Sequence, residues 1–316
     1  MHKIKLGNTK LEIAPINFGG NVFGWTLNEQ ESLDILDKFA GEGFNFIDTA
    51  DIYTWWVDGK SGGQSETIIG NWMKARGNRD EMVIATKVGG ADGTHGKNTS
   101  KKHILESVDK SLQRLQTDYI DLYYTHFDDE VTPVEETLDA YAEIIKAGKI
   151  RYIGASNISP ERLLESLTLS ELSGYPKYQV LQPHYNLMER TNFENQYAAI
   201  CENYNLKVLP YWSLASGFLS GKYRCEADLK QSLRGENIRK YLTVKGLTVL
   251  SALDKVAAKY KAKQSTIALA WLLANPLVAA PIVSATSEEQ LNTIFAATFF
   301  KLDREDLHLL NSASTK

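Results

Sequence analysis

Four polar side chains stand at the ends of successive apolar runs. Asp48 closes FNFIDTA, Tyr53 follows in ADIY, Lys87 closes MVIATK and His126 closes YIDLYYTH. If these runs are buried strands lying the same way round a barrel, a carboxylate, a phenol, an ammonium and an imidazole converge at one rim. That set suits carbonyl reduction: a proton donor, two groups that shift its pKa, and a group that orients the substrate oxygen. Taken singly, each residue has an ordinary reading as a rim aromatic, a lysine reaching to solvent, a structural histidine or a turn aspartate. The joint pattern, in strand order, is what points to chemistry.

The elements that must position these groups are legible as eight short apolar runs: PINFGG, FNFIDTA, MVIATK, YIDLYYTH, IRYIGAS, YQVLQPH, LKVLPYW and VAAPIVS. Most contain few charges, as expected of strands covered on both faces. Helical segments lie between them, from EQESLDILDKFAGEGF to FENQYAAICENYN. Ser159 is placed at an N-cap, Pro160 at the first helical position and Gly148 at a C′ stop. This alternation predicts an α/β fold with a parallel sheet. Eight units, with no GxGxxG after the first, favour a (β/α)8 TIM barrel over an open doubly wound sheet. KIKLGNTKLEI, with Gly7-Asn8 as a two-residue turn, predicts an N-terminal β-hairpin plugging the barrel bottom. From about residue 214 to 241 the chain is polar and aperiodic, a length that usually marks a functional loop. Extra helices are expected near the C-terminus, in TVKGLTVLSALDKVAAKYK, QSTIALAWLLAN, SEEQLNTIFAAT and DREDLHLLNSA. No linker or repeat interrupts residues 1–316, which read as one domain.

Composition narrows the function classes. The 316 residues are 43% hydrophobic, enough for a core without disulfides. The net charge of −4 is spread without a basic run, which argues against nucleic acid. Two cysteines, Cys201 and Cys225, in no CxxC pair fit a reducing, cytoplasmic setting. No apolar stretch is long enough for a membrane span, and MHKIKLGNTKL lacks the apolar region of a secretory signal. HxH, HExxH and cysteine clusters are absent, so no metal is expected. GGADGTHGKN has the wrong spacing for a phosphate loop and is expected to border the substrate.

FIDTADIY, SETIIG, IATK, IDLYYTHFDD, GKIRYIGASN, QPHYN and GFLSGKY follow one another in an order that resembles the aldo-keto reductase family over nearly the whole chain. The Trp-rich insert in YTWWVDGKSGGQ resembles one bacterial-type branch. The resemblance implies NADPH-dependent reduction of an aldehyde or ketone, with NADH as the alternative cofactor. Tyr53 would be the general acid, its pKa lowered by Lys87, with Asp48 holding Lys87 and His126 bonding the substrate oxygen. Ser156, Asn157 and Gln182 would hold the nicotinamide carboxamide, and Tyr211 would stack on its ring or simply pack in the core. Gly19, Gly20 and Asn21 would approach the nicotinamide or make a tight turn. Leu214, Gly217, Leu219, Gly221 and Lys222 offer backbone N–H groups and a cation to the pyrophosphate. Ser284, Thr286 and Gln290 begin a helix suited to an adenosine phosphate, unless Thr286 or Ser287 is only an N-cap. No Arg or Lys lies between Ser284 and Phe300, which leaves Arg234, Arg239 and Lys240 to meet a 2′-phosphate. Trp25, Trp55, Trp56 and Phe127 would ring the mouth for a small-molecule carbonyl substrate. The second reading is a cofactor-sensing regulatory subunit, since some proteins of this fold partner membrane channels.

Overall fold

The structure is a computed structural model that describes residues 1–231 and 235–315. Its strands are β1 (Ile4–Lys5), β2 (Glu12–Ile13), β3 (Asn17–Gly19), β4 (Phe46–Asp48), β5 (Val83–Val88), β6 (Ile120–Thr125), β7 (Ile150–Ser156), β8 (Tyr178–Gln182), β9 (Lys207–Val208) and β10 (Ile282–Val283). The helices are α1 (Glu29–Gly41), α2 (Gln64–Arg76), α3 (Lys101–Leu115), α4 (Val134–Lys146), α5 (Pro160–Ser173), α6 (Ala198–Tyr204), α7 (Gly235–Ile238), α8 (Val244–Tyr260), α9 (Gln264–Leu273), α10 (Glu288–Ala296) and α11 (Arg304–Ser314).

The parallel order β10-β3-β4-β5-β6-β7-β8-β9 follows the chain except at one seam. There Val208 donates to Leu277, Ala279 to Val208 and Ile282 to Pro210 through the backbone, at 2.9–3.0 Å. Those bonds close the sheet on itself, so the fold is a (β/α)8 barrel.

The period-2 alternation of strands decides what lies inside. Phe46, Val83, Leu122, Val180 and Ile282 point into the barrel, while Phe18, Ile47, Ile84, Tyr123 and Leu181 face the helices. Further along the same faces, two residues on in β4, β6 and β8 and four on in β5, the inward positions become Asp48, Tyr124, Gln182 and Lys87, all buried. The barrel is thus apolar at its base and ionic at the carboxyl ends of its strands. Gly154 makes room for this upper layer. A Cβ there would meet the Tyr124 ring at 2.5 Å.

The N-terminal hairpin fills the base with Leu6, Leu11 and Ile13. Its turn differs from the two-residue expectation. The ladder runs Ile4↔Ile13 and Lys5↔Glu12 and continues as Leu6 N–H to Leu11 O, so the loop is Gly7 to Lys10. Buried Thr9 explains the longer turn, because its hydroxyl and its N–H both donate to Leu6 O.

Ser159 caps α5 with Pro160 at its first position, and Gly148 follows α4 with φ 75°. FENQYAAICENYN is a π-helical turn over Phe193–Tyr197 running into α6, not one regular helix. The stretch expected to be aperiodic holds short helical turns at Ala215–Ser220, Glu226–Gln231, α7 and Arg239–Tyr241. Phe218, Leu219, Leu229, Ile238 and Tyr241 are buried beneath them. Among the described residues no helix is long and apolar enough to cross a membrane.

Candidate active site

Asp48 ends β4, Lys87 is the penultimate residue of β5, and His126 directly follows β6. Tyr53 stands in the turn after β4. Lys87 Nζ lies 2.5 Å from Asp48 Oδ2, 2.7 Å from Thr49 O and 3.0 Å from the Tyr53 hydroxyl. The Tyr53 and His126 ring centroids are 6.0 Å apart. All four groups expected from the sequence therefore meet at one point.

The turn that carries Tyr53 is strained. Thr54 is β-branched yet has φ 81°. Its hydroxyl donates to Gln64 Oε1 and contacts Tyr53 O, while Gly63 N–H donates to Tyr53 O at 3.1 Å. Behind the turn, buried Glu66 accepts from Thr86 Oγ1 and Arg114 Nε, each at 2.6 Å. Thr49, Ser65 and Gly20 O form a second buried chain, each bond 2.8 Å. Ser65 and Glu66 belong to the SETIIG run. Reading that run only as a motif missed their part in anchoring the turn.

Electrostatics refine the sequence expectation. Burial pushes the Tyr53 phenol above its usual value, and the Lys87 charge only partly offsets this. The expectation of a lowered phenol pKa is therefore corrected: burial outweighs the cation, and the phenol keeps its proton at neutral pH. Burial raises Asp48 against the pull of Lys87 and Gln182. Burial would lower Lys87, but its interactions with Asp48 and Tyr53 together carry it above its usual value. Burial, aided by Lys87, holds His126 well below its ordinary value, so the imidazole is neutral. Its Nδ1 is buried against Gly90 and has no hydrogen-bond partner among the described residues. An orphaned N–H is the rarer buried defect, which favours the proton on Nε2.

The later strands assemble a second cluster. Ser156 ends β7, Asn157 follows with φ 44°, and Gln182 ends β8. Asn157 Nδ2 donates to His126 O at 2.8 Å, and Tyr211 donates from its hydroxyl to Asn157 Oδ1 at 3.1 Å. Gln182 Nε2 donates to Asp48 Oδ1 at 2.9 Å, a contact outside its expected role. Trp212, Ala215, Ser216 and Gly217 all have positive φ. Such strain, about 1–3 kcal/mol for each non-glycine residue, concentrates at ligand sites. Within this loop the N–H groups of Gly217 and Leu219 donate to Leu214 O and that of Gly221 to Phe218 O. Those three donors are thus engaged inside the loop, and Lys222 Nζ lies 5.0 Å from the Tyr223 ring.

On the other side, Ser284 Oγ bonds Gly19 O at 2.6 Å and Asn21 Oδ1 at 2.7 Å. A Cβ on Gly19 would meet Ser284 Oγ at 2.8 Å, and one on Gly20 would meet Ser65 Oγ at 2.8 Å, so both glycines are needed for close packing. Ser287 caps α10, whereas Thr286 N–H donates to Gln290 Oε1 at 2.9 Å. Arg239 pairs with Glu226 and Glu236, and Lys240 with Glu189. Arg234 lies outside the described residues.

The mouth is aromatic. Trp56 lies edge-on to Trp25 at 5.7 Å, to Tyr53 at 6.0 Å and to Trp55 at 6.4 Å. Phe127 packs on His126 at 4.7 Å. The loop after β5 rests on this wall, since a Cβ on Gly93 would meet the Trp55 ring at 2.6 Å.

The model of the aldo/keto reductase family matches residues 15–315. The chain belongs to the aldo/keto reductase family. As such it is an NAD(P)H-dependent oxidoreductase of small-molecule carbonyl compounds. It is 34% identical to the uncharacterized oxidoreductase YrpG of Bacillus subtilis, over 97% of this chain and 94% of that protein. It is 32% identical to a probable voltage-gated potassium channel subunit beta of Oryza sativa, over 90% of this chain and 88% of that protein. It is 30% identical to the NADP(+) aryl-alcohol dehydrogenase of Phanerodontia chrysosporium, over 95% and 82%.

Proposed function

We propose that this aldo-keto reductase uses NADPH to reduce an aldehyde, preferably an aromatic one, with Tyr53 as proton donor. The observation that carries the reading is the Lys87 ammonium, shared between Asp48 Oδ2 at 2.5 Å and the Tyr53 hydroxyl at 3.0 Å, across from a neutral His126. His126 Nε2–H bonds the carbonyl oxygen and orients it toward the phenol. Tyr53 gives that oxygen its proton, and Lys87 stabilises the phenolate left behind. Asp48 keeps Lys87 in place. The nicotinamide supplies the hydride that no side chain can.

The rim suits such a cofactor. Ser156, Asn157 and Gln182 present amide and hydroxyl groups for a carboxamide, and Tyr211 offers a ring face. Gly19, Gly20 and Asn21 border the same space. The strained segment carrying Leu214, Gly217, Leu219, Gly221 and Lys222 would follow the pyrophosphate. Ser284, Thr286 and Gln290 at the start of α10 would meet the adenosine end. NADPH is favoured by likeness to a dehydrogenase whose name specifies NADP(+). The Trp25, Trp55, Trp56 and Phe127 wall favours a flat substrate, as that relative's name also suggests.

Likeness to potassium channel beta subunits supports a second reading, a cofactor-sensing subunit. One assay separates the two: nicotinamide absorbance is followed with aromatic, aliphatic and sugar aldehydes, ranked by kcat/KM. Turnover led by aromatic aldehydes supports the reductase. Tight NADPH binding without turnover on any aldehyde supports the subunit.

A further inference from the structure

Two runs of hydrogen bonds, one ending on the Gln182 backbone carbonyl and one starting from its side-chain amide, join the residue proposed to face the nicotinamide to the proposed proton donor. The Tyr211 hydroxyl donates to Asn157 Oδ1 at 3.1 Å, Asn157 Nδ2 to Ser156 Oγ at 3.0 Å, and Ser156 Oγ to Gln182 O at 2.9 Å. Gln182 Nε2 then donates to Asp48 Oδ1 at 2.9 Å. Lys87 completes the path from Asp48 Oδ2 to Tyr53. Gln182 is 3% exposed and Asp48 1%, so water does not substitute for either partner.

A buried carboxylate is stable only if both oxygens find donors. Lys87 serves Oδ2, and Gln182 serves Oδ1. Asp48 can only accept, so it dictates which way round the Gln182 amide lies. Nε2 must face the carboxylate, which leaves Oε1 as the end able to accept from an amide N–H at the cofactor side. Gln182 is thus oriented by the acid-base group even before a cofactor binds.

We infer that Gln182 is a positioning residue that holds the Asp48 carboxylate against Lys87 and couples the nicotinamide site to the proton donor. This rests on the roles proposed for Asp48, Lys87 and Tyr53. Without the Gln182 N–H, Asp48 Oδ1 loses that buried donor. Burial already works against the charged carboxylate, so with one donor gone Asp48 holds Lys87 less firmly. The cation is then less well placed beside Tyr53, and the phenolate is less well stabilised.

The test is Gln182→Met, which keeps the bulk and removes the donor. Infrared titration of the cofactor-free protein, with Asp48→Asn to assign the band, reads Asp48 directly. Its protonation should move up by about one pH unit, as for loss of one charge-assisted hydrogen bond. The kcat should fall about tenfold or more for the same reason, with the NADPH Kd changed less than kcat. Gln182→Glu is the second variant. Its protonated carboxyl can donate to Asp48 and its ionised form cannot, so activity should persist at low pH and disappear as pH rises. An unmoved Asp48 titration, with weaker NADPH binding as the only effect, would assign Gln182 to the cofactor alone and overturn the inference. The underlying reading fails separately, if Tyr53→Phe stays active.

Discussion

Tyr211 lies flat on His184, with ring centroids 5.3 Å apart and planes at 16°. His184 belongs to the QPHYN run, and a backbone bridge pairs it with Tyr211. Buried Asn186 in the same run fixes the turn by donating to Trp212 O at 2.9 Å and accepting from Met188 and Glu189 N–H. One face of Tyr211 is therefore covered, and a nicotinamide ring could meet only the other. His184→Ala is expected to let Tyr211 tilt, weakening NADPH by roughly two- to tenfold, the range for one aromatic pair. Protein fluorescence quenching measures the Kd. An unchanged Kd would mean that Tyr211 is held by Asn157 alone.

Tyr53→Phe should lower the reduction rate by about 10²–10⁴-fold, the usual share of general acid catalysis. The hydroxyl bonds Lys87 and is proposed to serve the substrate, so the NADPH Kd should stay nearly constant. Stopped-flow reduction of an aromatic aldehyde checks the first claim, and cofactor titration the second. Activity within a few fold of the parent removes Tyr53 from the role.

Lys87→Met affects two properties that can be separated. It leaves the Asp48 charge buried with Gln182 as its side-chain donor, and breaking such a pair typically costs about 3–5 kcal/mol. Adding Asp48→Asn removes the stranded charge. The double variant should regain most of the stability lost by Lys87→Met, while both variants stay inactive. Urea unfolding midpoints report the first property and turnover the second. A double variant no more stable than Lys87→Met would show that the ion pair is not the source of the loss.

The barrel and its four converging polar groups could be read from the chain because strand and helix periods are local. So are the stops at Ser159, Pro160 and Gly148. What the chain did not reveal was decided by side-chain partners, near or far in the sequence. The Gly7-Asn8 turn lengthened because Thr9 bonds back to Leu6. The Gln182 amide turned toward Asp48, 134 residues away in the chain. The Tyr53 phenol is raised because burial outweighs Lys87, and burial depends on the whole barrel. The segment after β9 looked aperiodic because short helical turns bury single residues such as Phe218 and Leu229, leaving no stripe to detect.

Asp51, beside the Tyr53 turn, offers a pH test of the fold. Its Oδ1 is buried and has no partner among the described residues. Burial first, and Glu66 second, push the carboxyl up to about 8, against the pull of Arg114. An unfolded carboxyl titrates near ~3.9. Between the two values the folded state keeps a proton that the unfolded state has released, so this residue makes stability fall as pH rises. Asp51→Asn cannot ionise and should remove that slope. The variant is expected to melt higher than the parent above about pH 8, with the two converging below about pH 4. Melting curves across this range decide it, and parallel curves would mean that Asp51 is already ionised in the fold.

The NADPH preference can be tested through Arg239. Its Nη1 is 2.7 Å from Glu226 Oε2 and its Nε 3.1 Å from Glu236 Oε2. A guanidinium paired in this way can bind a 2′-phosphate only by releasing or sharing those carboxylates. If Arg239 reads the phosphate, Glu226→Gln with Glu236→Gln should tighten NADPH by a few fold at low salt and leave NADH unchanged. Exposed pairs are weak and screened, which limits the gain and should erase it at high salt. Arg239→Ala should loosen NADPH alone. Fluorescence titrations of both cofactors at low and high ionic strength give the ratio of dissociation constants. The same ratio in all three proteins takes Arg239 out of phosphate recognition and leaves that task to Arg234, Lys240, or Ser284 and Thr286 with the N-terminus of α10.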